Sequence, residues 1–486
     1  MKRLSPELLS TLPPGVARPS EPRAAGLRIM HLGLGAFARA HLAAYTQDAN
    51  GHTGERWRIT GVSLQRPDMR DALAPQHGLY TLVTRAPEGA QRRIIDVVHE
   101  VLVAPESPAA VIARMADPGT QIVSLTVTEK GYCHDPATGS LRLDHPDIVH
   151  DLAYPDAPRS SIGFLVAGLR ARRAQGLKPV TVLCCDNLPS NGAVVRGLVL
   201  ELAQQLDVPL ADWIASEGAF PSSMVDRIVP ATTAGDIAET ATALGLHDAA
   251  PVMAEPFSQW VIEDRFVSRR PAWERVGAQL VSQVAPFEFM KLRLLNGAHS
   301  TLAYLGYLAG HETVAEASAD PALAEMLMRL WAEIIPTVPS PPGVDLDAYT
   351  VALLARFQNP AIRHRTWQIA MDGSQKLPQR LLGTISDRLA AGQSIDTLSL
   401  GVAGWMRYVM GFDQQGKPID VRDPLASEFA AVVDRASRGP GKSHDVAAIV
   451  DGLLAMKPIF GEELPRSQAL RIKLEQHLQR LISGRP

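Results

Sequence analysis

Apolar residues recur along the first part of the chain in short, nearly unbroken runs, separated by stretches with a helical period. Leu27–Leu32, Trp57–Leu64, Gln121–Thr128 and Val180–Cys185 are apolar enough to be strands of a sheet covered on both faces. Tyr80–Thr84 and Ile94–Val103 read as further strands, and Ala109–Met115, Ile162–Gln175 and Ala193–Gln205 as helices. Strands alternating with helices predict an α/β, Rossmann-like domain on a mainly parallel sheet. The segment before Leu27, rich in Pro and Arg, reads as an arm rather than a packed element. From Pro286 onward the period is almost wholly helical: Pro286–Leu308, Pro321–Ile335, Ala348–Phe357, Pro378–Ala391, Leu398–Met410, Pro424–Ser437 and Gln468–Leu481. Pro336–Gly343 and Ser437–Ser443 are loops in that region. The expectation is two domains, residues 1–285 and a mostly α-helical 286–486, with the active site in the cleft between them.

The first strand runs into Gly33-Leu-Gly35-Ala36-Phe37-Ala38-Arg39-Ala-His41 and a helix through Tyr45. A strand ending in Gly-x-Gly-x-x-Ala that opens a helix can bind a dinucleotide pyrophosphate. Gly33 makes the tight turn, Gly35 lets backbone approach the phosphates, and Ala38 is small enough for helix to pack on strand. Gly33, Gly35, Ala36 and Phe37 are therefore candidate cofactor contacts. A ribose-binding acid is expected after the second strand, where Gln65-Arg66-Pro67-Asp68 offers Asp68 for NAD and Arg66 for the 2′-phosphate of NADP. NAD is the expected cofactor, and NADP stays open.

In the helical half, Lys291-Leu-Arg-Leu-Leu-Asn296-Gly-Ala-His299 sets three polar groups in an apolar, helix-favouring run. A lysine there is costly unless it is solvated, paired or able to give up its proton, and proton exchange is what a general acid–base does. On an α-helix the three would spread over about 140° of arc, with Lys291 about 12 Å along the axis from His299. A helix with a snorkelling lysine and two surface polar groups fits the segment as well. Asn187, in Cys185-Asp186-Asn187, follows a strand, where open parallel sheets bind ligands; a turn or cap is the other reading. Glu129 also follows a strand, and Asp226–Arg227 reads either as a site pair or as structural.

Composition narrows the field. The chain has 486 residues, 46% hydrophobic and 20% charged, with a net charge of -3. Such a balance gives no electrostatic footprint for nucleic acid or an anionic membrane. No signal-peptide core or long apolar run is evident, so a cytoplasmic protein is expected. The three cysteines, Cys133, Cys184 and Cys185, form neither a disulfide framework nor a metal knuckle. Adjacent Cys184 and Cys185 should face opposite sides of a strand. No metal is expected.

Five ordered motifs together resemble the polyol-specific long-chain dehydrogenases, the mannitol dehydrogenase family. They are Gly33-x-Gly35-x-Phe37-x-Arg39-x-His41, Thr128-Glu129-x-Gly131-Tyr132, Cys185-Asp186-Asn187, Met224-Val225-Asp226-Arg227 and Lys291-x4-Asn296-x2-His299. The resemblance spans roughly residues 25 to 480. It implies metal-independent hydride transfer between NAD(H) and a secondary alcohol or ketone. It also implies roles: Lys291 as general acid–base, Asn187 and Asn296 on the reacting oxygen, and His299 holding the substrate and orienting the lysine. Glu129 would relay protons beside the lysine, and Asp226 and Lys376 would contact substrate.

Asn359-Pro-Ala-Ile-Arg363-His-Arg365-Thr-Trp-Gln368 through Lys376 and Arg380 looks more like fructuronate-reductase-type members than mannitol oxidisers, which tend to carry an arginine near Gln368. The implied reaction is reduction of the keto-hexuronate D-fructuronate to the sugar acid D-mannonate. Arg363, Arg365, Lys376 or Arg407 could supply a counter-charge for its carboxylate. The alternatives are a mannitol 2-dehydrogenase, an arabinitol dehydrogenase, or a non-catalytic nucleotide-sensing relative. Oligomeric state is not legible.

Overall fold

The strands Leu27–Leu32, Trp57–Ser63, Val98–Val103, Thr120–Leu125 and Thr181–Cys184 pair, all parallel, in the order third, second, first, fourth, fifth. The order reverses between the first and fourth strands, which makes a topological switch point there. These features come from a computed structural model that describes residues 1–19, 26–53, 55–135, 138–413, 415–438 and 443–484. It divides into two compact units, Met1–Ala285 and Pro286–Pro486.

In the first unit, residues along each strand alternate between two cores, as a sheet covered on both faces requires. Ile29, Ile122, Leu183 and Cys185 join the core that includes Leu42, Trp260 and Trp273. Met30, Leu32, Val123, Leu125 and Cys184 join the core under helices Pro108–Met115, Ser161–Ala174 and Asn191–Leu206. Cys184 and Cys185 thus face opposite sides, as expected, and all three cysteines are free.

Three sequence expectations are corrected here. The described N-terminal arm, residues 1–19, is packed: Leu4, Leu12 and Val16 are buried with Leu79, Ile94, Leu244 and Leu246, and Val16–Ala17 pairs with Gly89–Ile95. Its anchors are too sparse to show a period. Ile94–Val103 is two strands in different sheets, because Gly89–Ile95 pairs antiparallel with Tyr80–Ala86 while Val98–Val103 joins the parallel sheet. The chain turns at Asp96, whose N–H donates to Gln47 Oε1 (2.7 Å) and whose carboxylate faces Arg58. The strand expected to reach Thr128 stops at Leu125, and Thr128 takes a left-handed φ of 64°.

The second unit is a helical assembly around one core, holding Met290, Leu302, Trp331, Phe357, Trp405 and Leu474 among others. Helices Pro321–Ile334, Leu346–Phe357, Asp396–Val409, Ala426–Arg435 and Gln468–Ile482 follow the apolar period. Short helices at Thr366–Ala370 and Gly373–Leu377 were not legible. Ser437–Ser443, expected as a loop, carries a two-residue antiparallel pairing of Ser437–Arg438 with Ser443–His444. Among the described residues no helix is long and apolar enough to cross a membrane.

Candidate active site

The glycine turn lies at the carboxyl end of the first strand. Gly33 has φ 87°, and a Cβ there would stand 2.3 Å from the Thr126 carbonyl oxygen, so no other residue fits. Beside Gly35 the space is open, with only the Gly33 oxygen 3.8 Å from a would-be Cβ. Helix Ala36–Ala40 starts at Gly35 with no side-chain cap, which leaves its first amides free for an anion. Ala38 is buried, and half-buried Phe37 stacks on His41 at 5.0 Å. The helix breaks at His41 and resumes as Leu42–Asn50, where one continuous helix had been expected. This cradle suits a dinucleotide pyrophosphate.

A buried histidine underpins the turn. His31, on the first strand, contacts Ser124 Oγ through Nδ1 and Thr126 Oγ1 through Nε2, both at 2.8 Å. Thr126 Oγ1 spends its only proton on the Gly33 carbonyl (2.9 Å), so it accepts from His31 Nε2–H, and Ser124 O–H donates to Nδ1. The Gly33 carbonyl also receives Gly35 N–H at 2.7 Å. Burial pushes the His31 pKa down to about 4, so the ring is neutral and the chain of donors has one direction.

Asp186, at the end of the fifth strand, accepts from Val127 N (2.8 Å), Thr128 N (3.2 Å) and Tyr132 Oη (2.6 Å), and so shapes the loop after the fourth strand. Asn187 follows it, exposed, at the carboxyl edge of the sheet. Buried Asn191 ties this edge to strand Ser223–Asp226 through the Asp186 and Ser223 carbonyls, and Ser223 N–H donates back to it. Asp226 ends that strand, buried. Arg227 donates to the Glu255 and Ala40 carbonyls, a structural role. Arg66 and Asp68 stand exposed beyond the second strand, Asp68 in the first turn of helix Asp68–Leu73. The side chain of Glu129 lies outside the described residues. Among the described residues one cluster of three metal-type donors occurs, Cys133, His145 and Asp147, and His145 Nδ1 already caps a helix by accepting Asp147 N–H (3.2 Å).

In the second unit the run from Lys291 to His299 is not a plain α-helix. Ala285–Met290 is α-helical, Lys291–Asn296 is a π-helix, and Gly297–Leu308 is α-helical again. Hydrogen bonds from i to i+5 put residues five apart above one another, so Lys291 and Asn296 share a face; the 140° arc of the α-helical expectation is superseded. His299 follows three positions on, within one α-helical turn. The wide turn is braced from outside, Trp331 Nε1 donating to the Leu294 carbonyl (3.0 Å) and Arg293 pairing with Asp387 (2.6 Å). Lys291, Asn296 and His299 are each only 6% exposed. Asn296 Nδ2 and His299 Nε2 are enclosed with no hydrogen-bond partner among the described residues, which marks a face built to be completed by a ligand.

His299 stacks on Phe357 (4.6 Å) and meets His364 edge to face (5.2 Å). Its pKa is driven well below the usual histidine range by burial first, then by His364, Arg380, Arg356 and Lys291. It is therefore a neutral donor–acceptor in a field of positive charge. Arg380, on a second π-helical turn, Pro378–Leu382, donates to Ser300 Oγ (3.1 Å), the residue after His299.

The cations nominated from sequence are placed otherwise. Arg365 is ion-paired with Glu312, and Arg407 donates to the Phe412 and Asp413 carbonyls. Lys376 donates to the Ile369 (3.2 Å) and Met371 (2.6 Å) carbonyls, and Arg363 is exposed. Arg356 went unnoticed, and His364 and Arg380, which lie within the uronate-type segment, were not nominated as site residues because no local pattern joins them to His299.

The chain matches the family model described as mannitol dehydrogenase Rossmann domain over residues 27–275 and the one described as mannitol dehydrogenase C-terminal domain over residues 283–482. It is 49% identical to the D-mannonate oxidoreductase of Escherichia coli (strain K12) over 465 residues, 94% of this chain and 93% of that one. It is 41% identical to the mannitol 2-dehydrogenase of Pyrenophora tritici-repentis (strain Pt-1C-BFP) over 461 residues, 93% of this chain and 79% of that one. The solved Pseudomonas fluorescens mannitol 2-dehydrogenase, a ternary complex with NAD and D-mannitol, superposes with a TM-score of 0.91 at 38% identity, covering 99% of this chain and 97% of that one. With both halves matched and a cradle suited to a dinucleotide, this chain belongs to the mannitol dehydrogenase family of oxidoreductases.

Proposed function

We propose that the protein uses NADH to reduce a keto-hexuronate, D-fructuronate, to the sugar acid D-mannonate. The observation that carries this reading is the cationic character of the His299 face: Lys291 is on the same helical run and Arg380 donates to Ser300 Oγ beside it, and both, with Arg356, press the imidazole toward its neutral form. A substrate carboxylate gains counter-charge in such a field, and an uncharged ketose does not. The 49% identity to a D-mannonate oxidoreductase supports the same substrate class.

A nicotinamide held by the Gly33–Phe37 cradle would supply the hydride for the new C–H bond at the carbonyl carbon. Lys291, as ammonium, gives its proton to the carbonyl oxygen and is left as an amine that recovers a proton from solvent. Asn296, one π-turn along the same face, offers its unpartnered Nδ2 to that oxygen, and Asn187 is assigned the matching position on it. His299 stays neutral and holds a substrate hydroxyl. Gly33, Gly35, Ala36 and Phe37 cradle the cofactor, and Asp68 is assigned to its ribose. Asp226 is assigned to a substrate hydroxyl, Glu129 to proton relay, and Lys376 and Arg365 to further substrate contacts. The reading requires the Lys291 amine and the nicotinamide to meet at one carbonyl.

The test is a panel of fructuronate, tagaturonate and fructose with NADH and with NADPH, run on the wild type and on Lys291→Ala. Fructuronate turnover with NADH should dominate, and Lys291→Ala should lose on the order of 10²–10⁴ in kcat while still binding NADH. Brisk fructose turnover with none on either uronate would replace this reading by a mannitol dehydrogenase. NADH binding with no turnover of any substrate would make the chain a nucleotide sensor.

A further inference from the structure

Beside His299 stands a second imidazole that the assignment of roles leaves unused. His364 lies between helix Leu346–Phe357 and helix Thr366–Ala370, and its backbone is fixed from both sides. Its N–H donates to the Ile362 carbonyl (2.9 Å), and its carbonyl accepts Val314 N–H (2.9 Å). Asn359, buried, folds the start of this turn by accepting Ala361 N–H on Oδ1 (3.0 Å). The backbone that carries the ring is therefore held on both sides.

The ring meets His299 in a T-shaped contact, with centroids 5.2 Å apart and planes at 86°, while Phe357 stacks on His299 at 4.6 Å. His364 Nδ1 is enclosed and has no hydrogen-bond partner among the described residues, like His299 Nε2 and Asn296 Nδ2. Two of these three open polar atoms sit on rings in contact, and the third, Asn296 Nδ2, lies three positions from His299 on the same helical run, so they gather about one point. A protein that only needed bulk at residue 364 would carry an apolar side chain there.

Burial first, and Lys376 second, hold the His364 pKa at about 4, so the ring is neutral in the working range. A neutral imidazole has one N–H donor and one nitrogen acceptor. That pair matches a hydroxyl, which also gives and takes one hydrogen bond. It does not neutralise a carboxylate, a task that falls to the arginines and lysines around it.

We propose that His364 is a specificity-determining substrate contact, which reads the configuration of a hydroxyl on the open-chain sugar next to the one held by His299. The inference rests on the reading of His299 as a substrate contact, not on the substrate being a uronate.

The test is steady-state kinetics of His364→Ala and His364→Asn on two epimers, fructuronate and tagaturonate, or fructose and tagatose if the wild type turns over only neutral ketoses. NADH affinity by fluorescence and the thermal midpoint are measured alongside. His364→Ala should raise KM for the preferred epimer about tenfold or more, leave kcat within a few-fold, and shrink the preference between epimers toward one. NADH affinity should not move. His364→Asn, which keeps a donor and an acceptor, should recover most of the loss and stands in if the alanine variant fails to fold. An unchanged KM and an unchanged epimer preference, or a loss that follows NADH affinity or the thermal midpoint, overturns the proposal.

Discussion

At the scale of single residues, one hydroxyl proton decides how the cofactor cradle is held. Thr126 Oγ1 bridges His31 on the first strand and the Gly33 carbonyl, across the switch point of the sheet. Replacing Thr126 by Val keeps shape and burial but removes the donor to Gly33 and the acceptor for His31 Nε2–H. Leaving that buried N–H unmet costs about 1–3 kcal/mol. The glycine peptide is then free to tilt, which would disturb the amides that the turn offers to a cofactor phosphate. NADH dissociation, followed by fluorescence, should rise about tenfold in Thr126→Val and stay near wild type in Thr126→Ser, which restores the hydroxyl. Wild-type NADH affinity in Thr126→Val would show that the relay holds nothing in place.

At the scale of elements, the second unit sets two π-helical turns against each other. A Cβ on Gly297, which directly follows Lys291–Asn296, would stand 2.9 Å from the Arg380 carbonyl in Pro378–Leu382. Neither partner there is a flexible side-chain end, so Gly297→Ala must push the turns apart at a cost of about 1–3 kcal/mol. Because Asn296 precedes that glycine and Arg380 bonds Ser300 beside His299, the shift reaches the site. Activity of Gly297→Ala should fall at least tenfold, with NADH affinity unchanged; full activity would mean that the two turns slide without consequence. The same elements show where reading the sequence stopped. Lys291, Asn296 and His299 were legible as residues, since polar groups in an apolar helical run stand out. Their shared face was not, because a π-turn adds no residue type that marks it. The parallel sheet was legible from its apolar runs, yet Ile94–Val103 hid a change of sheet at Asp96, whose partners Gln47 and Arg58 come from elsewhere in the chain. The groups that act on His299 escaped for a related reason: the cations Arg356 and Arg380 and the neutral His364 come from different segments, and only tertiary packing brings their influence to bear with that of Lys291.

At the scale of the whole molecule, each unit keeps neutral histidines inside, and this fixes the sign of its response to acid. His31 in the first unit is fully buried with a pKa of about 4, and in the second unit His299 lies well below its ordinary 6.5 and His364 at about 4. In the unfolded chain each returns to about 6.5. Between those values the unfolded state binds more protons than the folded one, so stability is complete above the unfolded pKa and declines as pH falls from about 6.5 toward 4. For a group as enclosed as His31 the limiting slope is about 1.4 kcal/mol per pH unit. Both units carry such groups, so every thermal transition should move down together over this window, and none should move between pH 7 and 8 on their account. Calorimetry across pH 4 to 8 checks it, with His31→Gln expected to flatten the acid limb of the first unit alone. A midpoint that holds level from pH 7 down to 5 would mean that the buried rings take up protons in place, and the one-directional donor chain from Ser124 to Gly33 would then have to be abandoned.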